Sequence, residues 1–544
     1  MSAITISYSY QDNFSAELRH DGAYSRLAIP CPGTTAILKI AFAVPIIDMQ
    51  GFWTPEMRTP AARLEWNITA RSAGQRSFPY LAFLNSQGVN RLSLGLTDLA
   101  DDTEIRAKMN QERCTYDITI QTALTPQSRP FELILDERPE EWTKILADWR
   151  AVLALPETHF PEAAWEPVYC TWYAVHAAVT QDWVEKSAAK AAELGFGTLI
   201  IDDGWCFDAM KRVTPDTLGS WYEWIGDWEI SKRKFPDFAS HRRRIRELGL
   251  NYLFWVAPFL VGAKSRFAGQ FPEAHDHQYR EGCFTMDGSA REAMDAMLEK
   301  MRHVMLDYAL DGLKADFLDH ILPDLKAPRG QSVTAWIARL AQTVRAVKPD
   351  ALIEFRQSYA TPGMKPYGTQ FRAGDVPFDF TDNFQRLAQI RVSMGDGVPV
   401  HADPAYWHPE EKPENIARHL IASLAGVPML SMDLLKLGAR EEKIVRHWLK
   451  FHRANRRLFR DGRWQVRYAR NNTAWMSVSD GAESLAIVSD PARLPEVLEQ
   501  CAKPVRILNL AQTPLVLPEA KTFDGEGGRG VAGVVPPGGL GEKS

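Results

Sequence analysis

The chain has 544 residues, 45% hydrophobic and 24% charged, with a formal net charge of -5. That length implies about two to four domains of ordinary globular composition, and the acidic balance without a long basic block argues against nucleic acid as a partner. No run of about 18 apolar residues occurs, so no membrane-spanning helix is expected. The start, Met1 to Phe14, lacks the basic and apolar segments of a signal peptide. Cys31, Cys114, Cys170, Cys206, Cys283 and Cys501 have no metal-ligand spacing, and reduced thiols in a cytoplasmic protein are the expectation.

Over 1–155, short alternating segments recur at Ala3–Ser9, Ala36–Val44, Ala62–Ile68, Arg91–Leu96 and Tyr116–Thr122, punctuated by Gly, Pro, Asn and Asp. This alternation predicts a β-sandwich. Glu140–Leu153 reads as a connecting helix, and Pro156, Pro161 and Pro167 mark a linker. Over 156–455 strands alternate with helices. The predicted strands are Val168–Trp172, Thr198–Ile201, Tyr252–Val256, Gly312–Phe317, Ala351–Phe355, Thr369–Ala373, Val398–His401 and Val427–Asp433. Helices are predicted at Thr180–Leu194, His241–Leu248, Ser289–Ala309, Thr334–Val347, Phe384–Val392, Glu414–Leu424 and Glu441–Arg453. Eight such units predict parallel strands with right-handed crossovers, hence an α/β fold of the (β/α)8 TIM barrel type. A doubly wound sheet is the alternative, disfavoured because no Gly-x-Gly-x-x-Gly follows the first strand. Residues 456–544 return to β patterning at Trp464–Tyr468, Ala474–Val478, Ser484–Ser489 and Val505–Leu508, and end in a Gly/Pro-rich stretch, Gly525–Gly541, expected to be mobile. The barrel is thus flanked by an N-terminal β-sandwich and a small C-terminal β domain.

Polar residues collect at the predicted strand ends, where barrel active sites form. They include Trp172, Asp202, Asp203, Lys314, Asp316, Asp319, Arg356, Arg372, Asp375, His401, Asp403 and Asp433. Carboxylates, cations and tryptophans without a Cys/His cluster suit a sugar pocket and make a poor metal site. Carboxylates accept pairs of hydroxyls, and tryptophans cover the apolar faces of sugars. Side chains two apart on a strand share a face, so Lys314 stands beside Asp316 and favours its ionised form. Asp375 could face Asp316 across a sugar, and a carboxyl in a less charged setting keeps its proton and can serve as the acid. Plainer readings stand beside these. A strand-end Asp is often a helix N-cap, Trp172 could be core, and His401 and His408 read as structural or hydrogen-bonding rather than metal-binding.

Several segments, in order over about residues 168–460, resemble glycoside hydrolase family 36 and its clan of retaining α-galactosidases. Cys170-Thr171-Trp172-Tyr173-Ala174 is similar to the family's Asn-Ser/Thr-Trp-Glu-Ala, and Ile201-Asp202-Asp203-Gly204-Trp205 to its Leu-Asp-Asp-Gly-Trp. Gly226-Asp227-Trp228 with Lys234-Phe235-Pro236 resembles its Gly-Asp-Trp and Lys-Phe-Pro pair. Lys314-Ala315-Asp316 resembles its Lys-Trp-Asp, and Pro362-Gly363-Met364 with Gln370 to Asp375 resembles Pro-Gly-Met and the segment ending in its acid/base. Val400-His401-Ala402 resembles its His-Val-Ser region, and Leu430 to Leu434 its Tyr-Glu-Leu-Asp-Leu.

The resemblance implies Asp316 as nucleophile and Asp375 as acid/base. It implies Asp202 and Asp203 on hydroxyls at C4 and C6, Lys314 on hydroxyls across the ring, and Trp172 and Trp228 as pocket walls. Arg372 looks less closely like a 2-hydroxyl-binding Arg of the related family 27, which precedes its acid/base by four residues instead of three. Two segments depart from family 36. Its Trp-Phe-Glu-Pro-Glu is Trp255-Val256-Ala257-Pro258-Phe259, with Gly269 where a substrate-contacting Arg is expected and Lys264 or Arg266 as candidate substitutes. Its Cys-Ser-Ser-Gly-Gly-Gly-Arg loop is the shorter Phe355-Arg356-Gln357-Ser358-Tyr359-Ala360. The implied activity is retaining hydrolysis of an α-galactosidic bond in an oligosaccharide, without metal or cofactor. The departures leave open an α-glucosidase, an α-N-acetylgalactosaminidase or a transglycosylase. A carbohydrate-binding barrel without activity is the alternative from another class. The sequence does not fix an oligomeric state, and a homo-oligomer is compatible with it.

Overall fold

The computed structural model describes residues 5–8, 11–15, 18–56, 62–126, 128–210, 221–276, 282–321, 329–469 and 472–544. The predicted strand Ala3–Ser9 is described only over Thr5–Tyr8.

The N-terminal part is built from two antiparallel sheets. One runs, edge to edge, through residues 11–15, 5–8, 36–45, 115–124, 103–110 and 67–72. The other runs through 19–21, 24–29, 131–136, 90–96, 80–84, 51–53 and 62–63. Ala36–Pro45 alternates buried and outward residues along its length, as a half-solvated sheet requires. Leu38, Ile40 and Phe42 from the first sheet share a core with Leu81, Phe83, Leu92 and Leu133 from the second. The predicted strand Ala62–Ile68 is two strands: Ala62–Arg63 lies in one sheet and Asn67–Ser72 in the other. The chain changes sheets between them, and the Tyr116 hydroxyl, not a neighbouring strand, donates to the Glu65 carbonyl at 2.6 Å.

Eight parallel strands follow in sequence order. We label them β1 (Val168–Cys170), β2 (Thr198–Ile201), β3 (Asn251–Val256), β4 (Gly312–Ala315), β5 (Leu352–Arg356), β6 (Gln370–Arg372), β7 (Val400–His401) and β8 (Met429–Leu430). Each pairs with the next from β1 to β7, and β8 pairs with β1 in the register Val168↔Met429. A parallel bridge between His401 and Val427 brings β7 to the β8 segment and nearly closes the ring. Helices at 181–194, 238–247, 291–307, 329–347, 380–394, 413–423 and 439–454 occupy the predicted stretches. The barrel bore is filled by Val168, Cys170, Ile200, Leu253, Leu352 and Met429 over Ala164. His401 Nε2 donates to the Ala164 carbonyl at 2.7 Å, so this histidine ties the bore to the segment beneath it.

Two glycines are dictated by close approach. A Cβ at Gly312 would stand 2.0 Å from the Leu352 carbonyl oxygen, and one at Gly204, where φ is +102°, would stand 2.4 Å from Ala177 Cα. The predicted strands run slightly long. Trp172 begins a short helical turn, Trp172–Val175. Asp316 lies one residue beyond β4, yet its N–H still donates to the Val256 carbonyl at 2.8 Å, which preserves the register.

The C-terminal part carries a six-stranded sheet in the order 463–469, 472–479, 484–488, 505–509, 540–543, 521–523. It is not purely antiparallel: 484–488 and 505–509 run parallel across the helix Leu494–Gln500. At the far end of the Gly/Pro-rich stretch, Leu540–Lys543 pairs with both 505–509 and 521–523. Among the described residues no helix is long and apolar enough to cross a membrane.

The sandwich is fastened to the barrel. Gly330 N–H donates to Asp102 Oδ1 at 2.9 Å and Gln331 Nε2 to Ser128 Oγ at 3.0 Å. Trp53 Nε1 donates to Gln389 Oε1 at 3.1 Å.

Candidate active site

All the candidate residues except Trp228 sit on or just past the ends of strands. On one side of the barrel mouth, at β2 and β4, Lys314 Nζ donates to Asp202 Oδ2 at 2.6 Å, with both side chains buried. Cys170 Sγ donates to the same oxygen at 3.1 Å. Burial opposes the ammonium charge of Lys314, but Asp202 outweighs it and raises the lysine. Neighbouring Asp203 accepts from Trp221 Nε1 at 2.7 Å through Oδ2. Its Oδ1 is buried with no hydrogen-bond partner among the described residues. Burial first, then the charge of Asp202, pushes Asp203 up to about 7. An unsatisfied buried oxygen is costly, and this one is suited to a hydroxyl brought by a ligand.

Asp316 is 7% exposed. Its Oδ1 accepts from the Phe317 N–H at 2.9 Å and forms an ion pair with Arg356, whose Nε lies 3.0 Å away, and its Oδ2 accepts from Trp255 Nε1 at 3.0 Å. Burial alone would raise this carboxyl; Arg356 first, then Lys314 and Arg372, override it and hold it well below the usual range. The counter-ion in contact with Asp316 is therefore Arg356, where the sequence pointed to Lys314. Lys314 acts on Asp316 across space while its ammonium is engaged by Asp202.

At β6, Arg372 is buried and central. Its Nη1 donates to Asp375 Oδ1 at 2.9 Å and to Asp403 Oδ1 at 2.6 Å, and its Nε to Glu354 Oε1 at 3.2 Å. Asp375 has a side chain 57% exposed. Partial loss of hydration at the barrel mouth acts to raise it, but Arg372 prevails and Asp375 lies below its ordinary value. The setting is thus more charged than the one anticipated for a proton-holding acid. Asp403 is 0% exposed and pushed up to about 7, chiefly by burial and against the pull of Arg372. Asp316 and Asp375 are near enough that the charge of Asp316 acts to raise Asp375.

The tryptophans differ. Trp172 is half-buried and meets Trp221 edge-on at 5.5 Å. Trp228 is 2% exposed and packed 6.1 Å from Trp205 and 5.9 Å from Trp255, so its ring belongs to the support beneath Trp255 more than to an open wall. Its indole N–H is buried without a partner among the described residues. Lys264 and Arg266, the candidate substitutes, are paired with Glu223 at 3.0 Å and with Asp227 at 3.3 Å. Lys234 of the Lys-Phe-Pro segment donates to the carbonyls of Ala177, Gly204 and Ala209, each at 2.7 Å, and ties three loops together. Asp433 follows the plain reading and caps the turn Leu434–Lys436. Among the described residues no group of His, Cys, Asp and Glu could hold a metal ion.

A cavity of about 490 Å³ adjoins Asp375 and Arg356. Gln357, Ser358, Gly374 and Arg386 line it from the barrel, and Glu56, Arg76, Ser77 and Phe78 line it from the sandwich. Sequence reasoning left this sandwich wall and the roles of Asp403 and Tyr359 unassigned. Asp403 was visible as a strand-end acid, but the sandwich residues carry no motif.

Comparison with known proteins fits this geometry. Residues 157–342 match the family model described as Melibiase. The chain is 23% identical over 344 residues to "Alpha-galactosidase AgaA" of Geobacillus stearothermophilus, covering 58% of this chain and 45% of that protein. It is 22% identical over 325 residues to "Alpha-galactosidase" of Escherichia coli, covering 56% and 44%. The chain thus aligns with less than half the length of these relatives. Among solved structures, a GH36 α-galactosidase AgaA variant from Geobacillus stearothermophilus in complex with raffinose superposes with a TM-score of 0.69 at 14% identity, covering 89% of this chain and 80% of that one. The α-galactosidase TtGalA from Thermus thermophilus gives 0.58 at 17% identity, covering 86% and 98%. The fold is that of these enzymes.

Proposed function

We propose that the chain is a retaining α-galactosidase acting on α-galactosides of oligosaccharides. The observation that carries this reading is Asp316: a buried strand-end carboxylate, held ionised by Arg356 and Trp255, with Asp375 within reach of its charge. The alignments with proteins named as α-galactosidases support the substrate class.

Retention needs two displacements. In the first, Asp316 forms a bond to the anomeric carbon as the bond to the leaving oxygen breaks, and that oxygen takes a proton from Asp375. In the second, Asp375 takes a proton from water, the water oxygen bonds to the anomeric carbon, and Asp316 departs as carboxylate. Because Arg372 favours the charged form of Asp375, the acid step requires a bound sugar to loosen that pair or shield it from solvent. Asp202, Asp203 and Lys314 would accept and donate to the ring hydroxyls, and Trp172 would cover an apolar face. Six thiols without a disulfide fit a reducing compartment and support a cytoplasmic location.

The test is turnover of a panel of p-nitrophenyl α-glycosides. The α-galactoside is expected to be cleaved in preference to the α-glucoside and the α-N-acetylgalactosaminide; preference for either of the others would replace the substrate assignment. Asp316→Ala is expected to lower kcat on the order of 10^6-fold, the scale seen when a nucleophile is removed. Azide should restore turnover with an inverted product. Retained activity in this variant would remove Asp316 from the mechanism.

A further inference from the structure

Asp316 is held unevenly. Oδ1 accepts the Phe317 N–H at 2.9 Å and is ion-paired with Arg356, whose Nε lies 3.0 Å away, and the Tyr359 hydroxyl lies 3.4 Å away. That hydroxyl donates mainly to the Ala315 carbonyl at 2.8 Å. Oδ2, held by Trp255 Nε1 at 3.0 Å, is the less encumbered oxygen. Arg356 is itself fixed: its guanidinium lies 4.4 Å over the Phe317 ring and 3.8 Å from Asp319 Oδ1. It also lines the cavity beside Asp375. This residue stands in the loop that departs from the family pattern.

We propose that Arg356 is a positioning residue for Asp316, holding Oδ1 so that Oδ2 bonds to the anomeric carbon, and that its charge favours release of Asp316 from the glycosyl intermediate. The proposal rests on the reading of Asp316 as nucleophile.

The charge balance gives it direction. When Oδ2 bonds to carbon, the leaving oxygen departs with the proton of Asp375, and Asp316 becomes a neutral ester. Arg356 then loses an ion-pair partner and retains Asp319. When water attacks, its proton goes to Asp375, the C–Oδ2 electron pair returns to Asp316, and the pair with Arg356 re-forms. A cation at this position therefore opposes formation of the intermediate and assists its breakdown. The other groups that act on Asp316 do not duplicate this contact. Lys314 is bound to Asp202, Arg372 to Glu354, Asp375 and Asp403, and Tyr359 to the Ala315 carbonyl. Among the charges that lower Asp316 against its burial, Arg356 is the foremost.

The experiment uses the full chain with Arg356→Gln and with Arg356→Met, the latter keeping an apolar contact on Phe317. Each is mixed rapidly with p-nitrophenyl α-galactoside. The expected result is a burst of nitrophenolate near one per site, then a steady rate lowered about tenfold, the effect of about 1.4 kcal/mol, and raised again by azide. The lower acid limb of kcat/KM, set by Asp316 beneath the Asp203 step, should move up by about one pH unit, and Arg356→Lys should bring it back. A slower rate with no burst and no azide effect, or an unmoved acid limb, overturns the proposal. Wild-type protein gives a check that does not depend on a variant folding: beneath the partial step that Asp203 sets near pH 7, its lower acid limb should lie under the ordinary carboxylate range, and a lower limb at about pH 4 overturns the proposal. Failure of the wild type to cleave any α-glycoside would remove the hydrolase reading itself. Cleavage that Asp316→Ala abolishes and Arg356→Gln leaves unaltered would remove this inference alone.

Discussion

The two sides of the barrel mouth are built on different principles. At β2 and β4, Asp202, Asp203 and Lys314 are buried on strand ends, and their hydrogen bonds are in place except for Asp203 Oδ1. At β5 to β7, Arg372 ties Asp375 to Asp403 and Arg356 pairs with Asp316, and Arg356 and Asp375 border a cavity completed by the sandwich. The first side can distinguish hydroxyl positions because rigid strands fix its oxygens. Under the proposed function, the second holds Asp375, the acid/base, and the Arg356 counter-ion of Asp316, and would face the part of the substrate beyond the cleaved bond. Specificity for the sugar and specificity for the leaving group are thus separated in space and can be broken separately.

The largest effect should come from the buried side. Lys314 and Asp202 have side chains 8% and 4% exposed, so Lys314→Met leaves an uncompensated carboxylate. Breaking such a pair costs about 3–5 kcal/mol, readable by urea unfolding, and the double variant Lys314→Met/Asp202→Asn should recover much of it. A loss below about 1 kcal/mol in the single variant would mean the pair is effectively solvated, and the contrast between the two sides would fail.

Asp203 sharpens the same contrast through pH. It is pushed up to about 7 in the free protein, and its ionised form is the better acceptor for a sugar hydroxyl. Galactose affinity should therefore rise as pH increases through about 7. Asp203→Asn should bind about tenfold or more weakly, since a hydrogen bond to a charged group contributes about 1.5–3 kcal/mol, and should lose that part of the pH dependence. Calorimetry at pH values on either side of 7 decides, and equal slopes in the two proteins would take Asp203 out of the binding face.

The same division explains what the sequence revealed. Eight apolar segments with polar ends made the barrel legible, because parallel strands buried on both faces read as short apolar runs. Lys314 was legible on its strand, where spacing fixes direction, and Asp202 and Asp203 as adjacent acids just past β2 whose roles the family resemblance implies. Arg356 and Asp403 were visible as strand-end polar residues, but nothing in spacing says which carboxylate a long, flexible arginine will choose. Burial decided it: Asp202 captures Lys314 within the wall, leaving Asp316 to Arg356. Asp375 looked like the less charged acid because Arg372, three residues earlier, could as well have turned to a sugar; Asp403, from β7, completes the cluster that holds it inward. Trp228 read as a pocket wall from its motif, whereas packing against Trp205 and Trp255 buries it. The sandwich wall of the cavity joins residues nearly 300 positions apart, Arg76 and Asp375, and no local pattern encodes that meeting.

Arg76 gives the smallest and most selective test. Its backbone is fixed by the bridge to Ala73, and its side chain is exposed on the sandwich wall of the cavity. A group there can touch only what lies past the leaving oxygen, if the sugar ring sits against Asp202 and Asp203. Arg76→Ala should therefore leave kcat/KM for p-nitrophenyl α-galactoside unchanged and lower it about fivefold for raffinose, the scale of one hydrogen bond near 1 kcal/mol. Folding stability should stay within about 0.5 kcal/mol, as for other exposed substitutions. An equal fall for both substrates would place the sandwich wall against the ring itself and dissolve the separation of the two sides. Equal retention for both would mean that the cavity binds no leaving group and that the sandwich serves the barrel only as support.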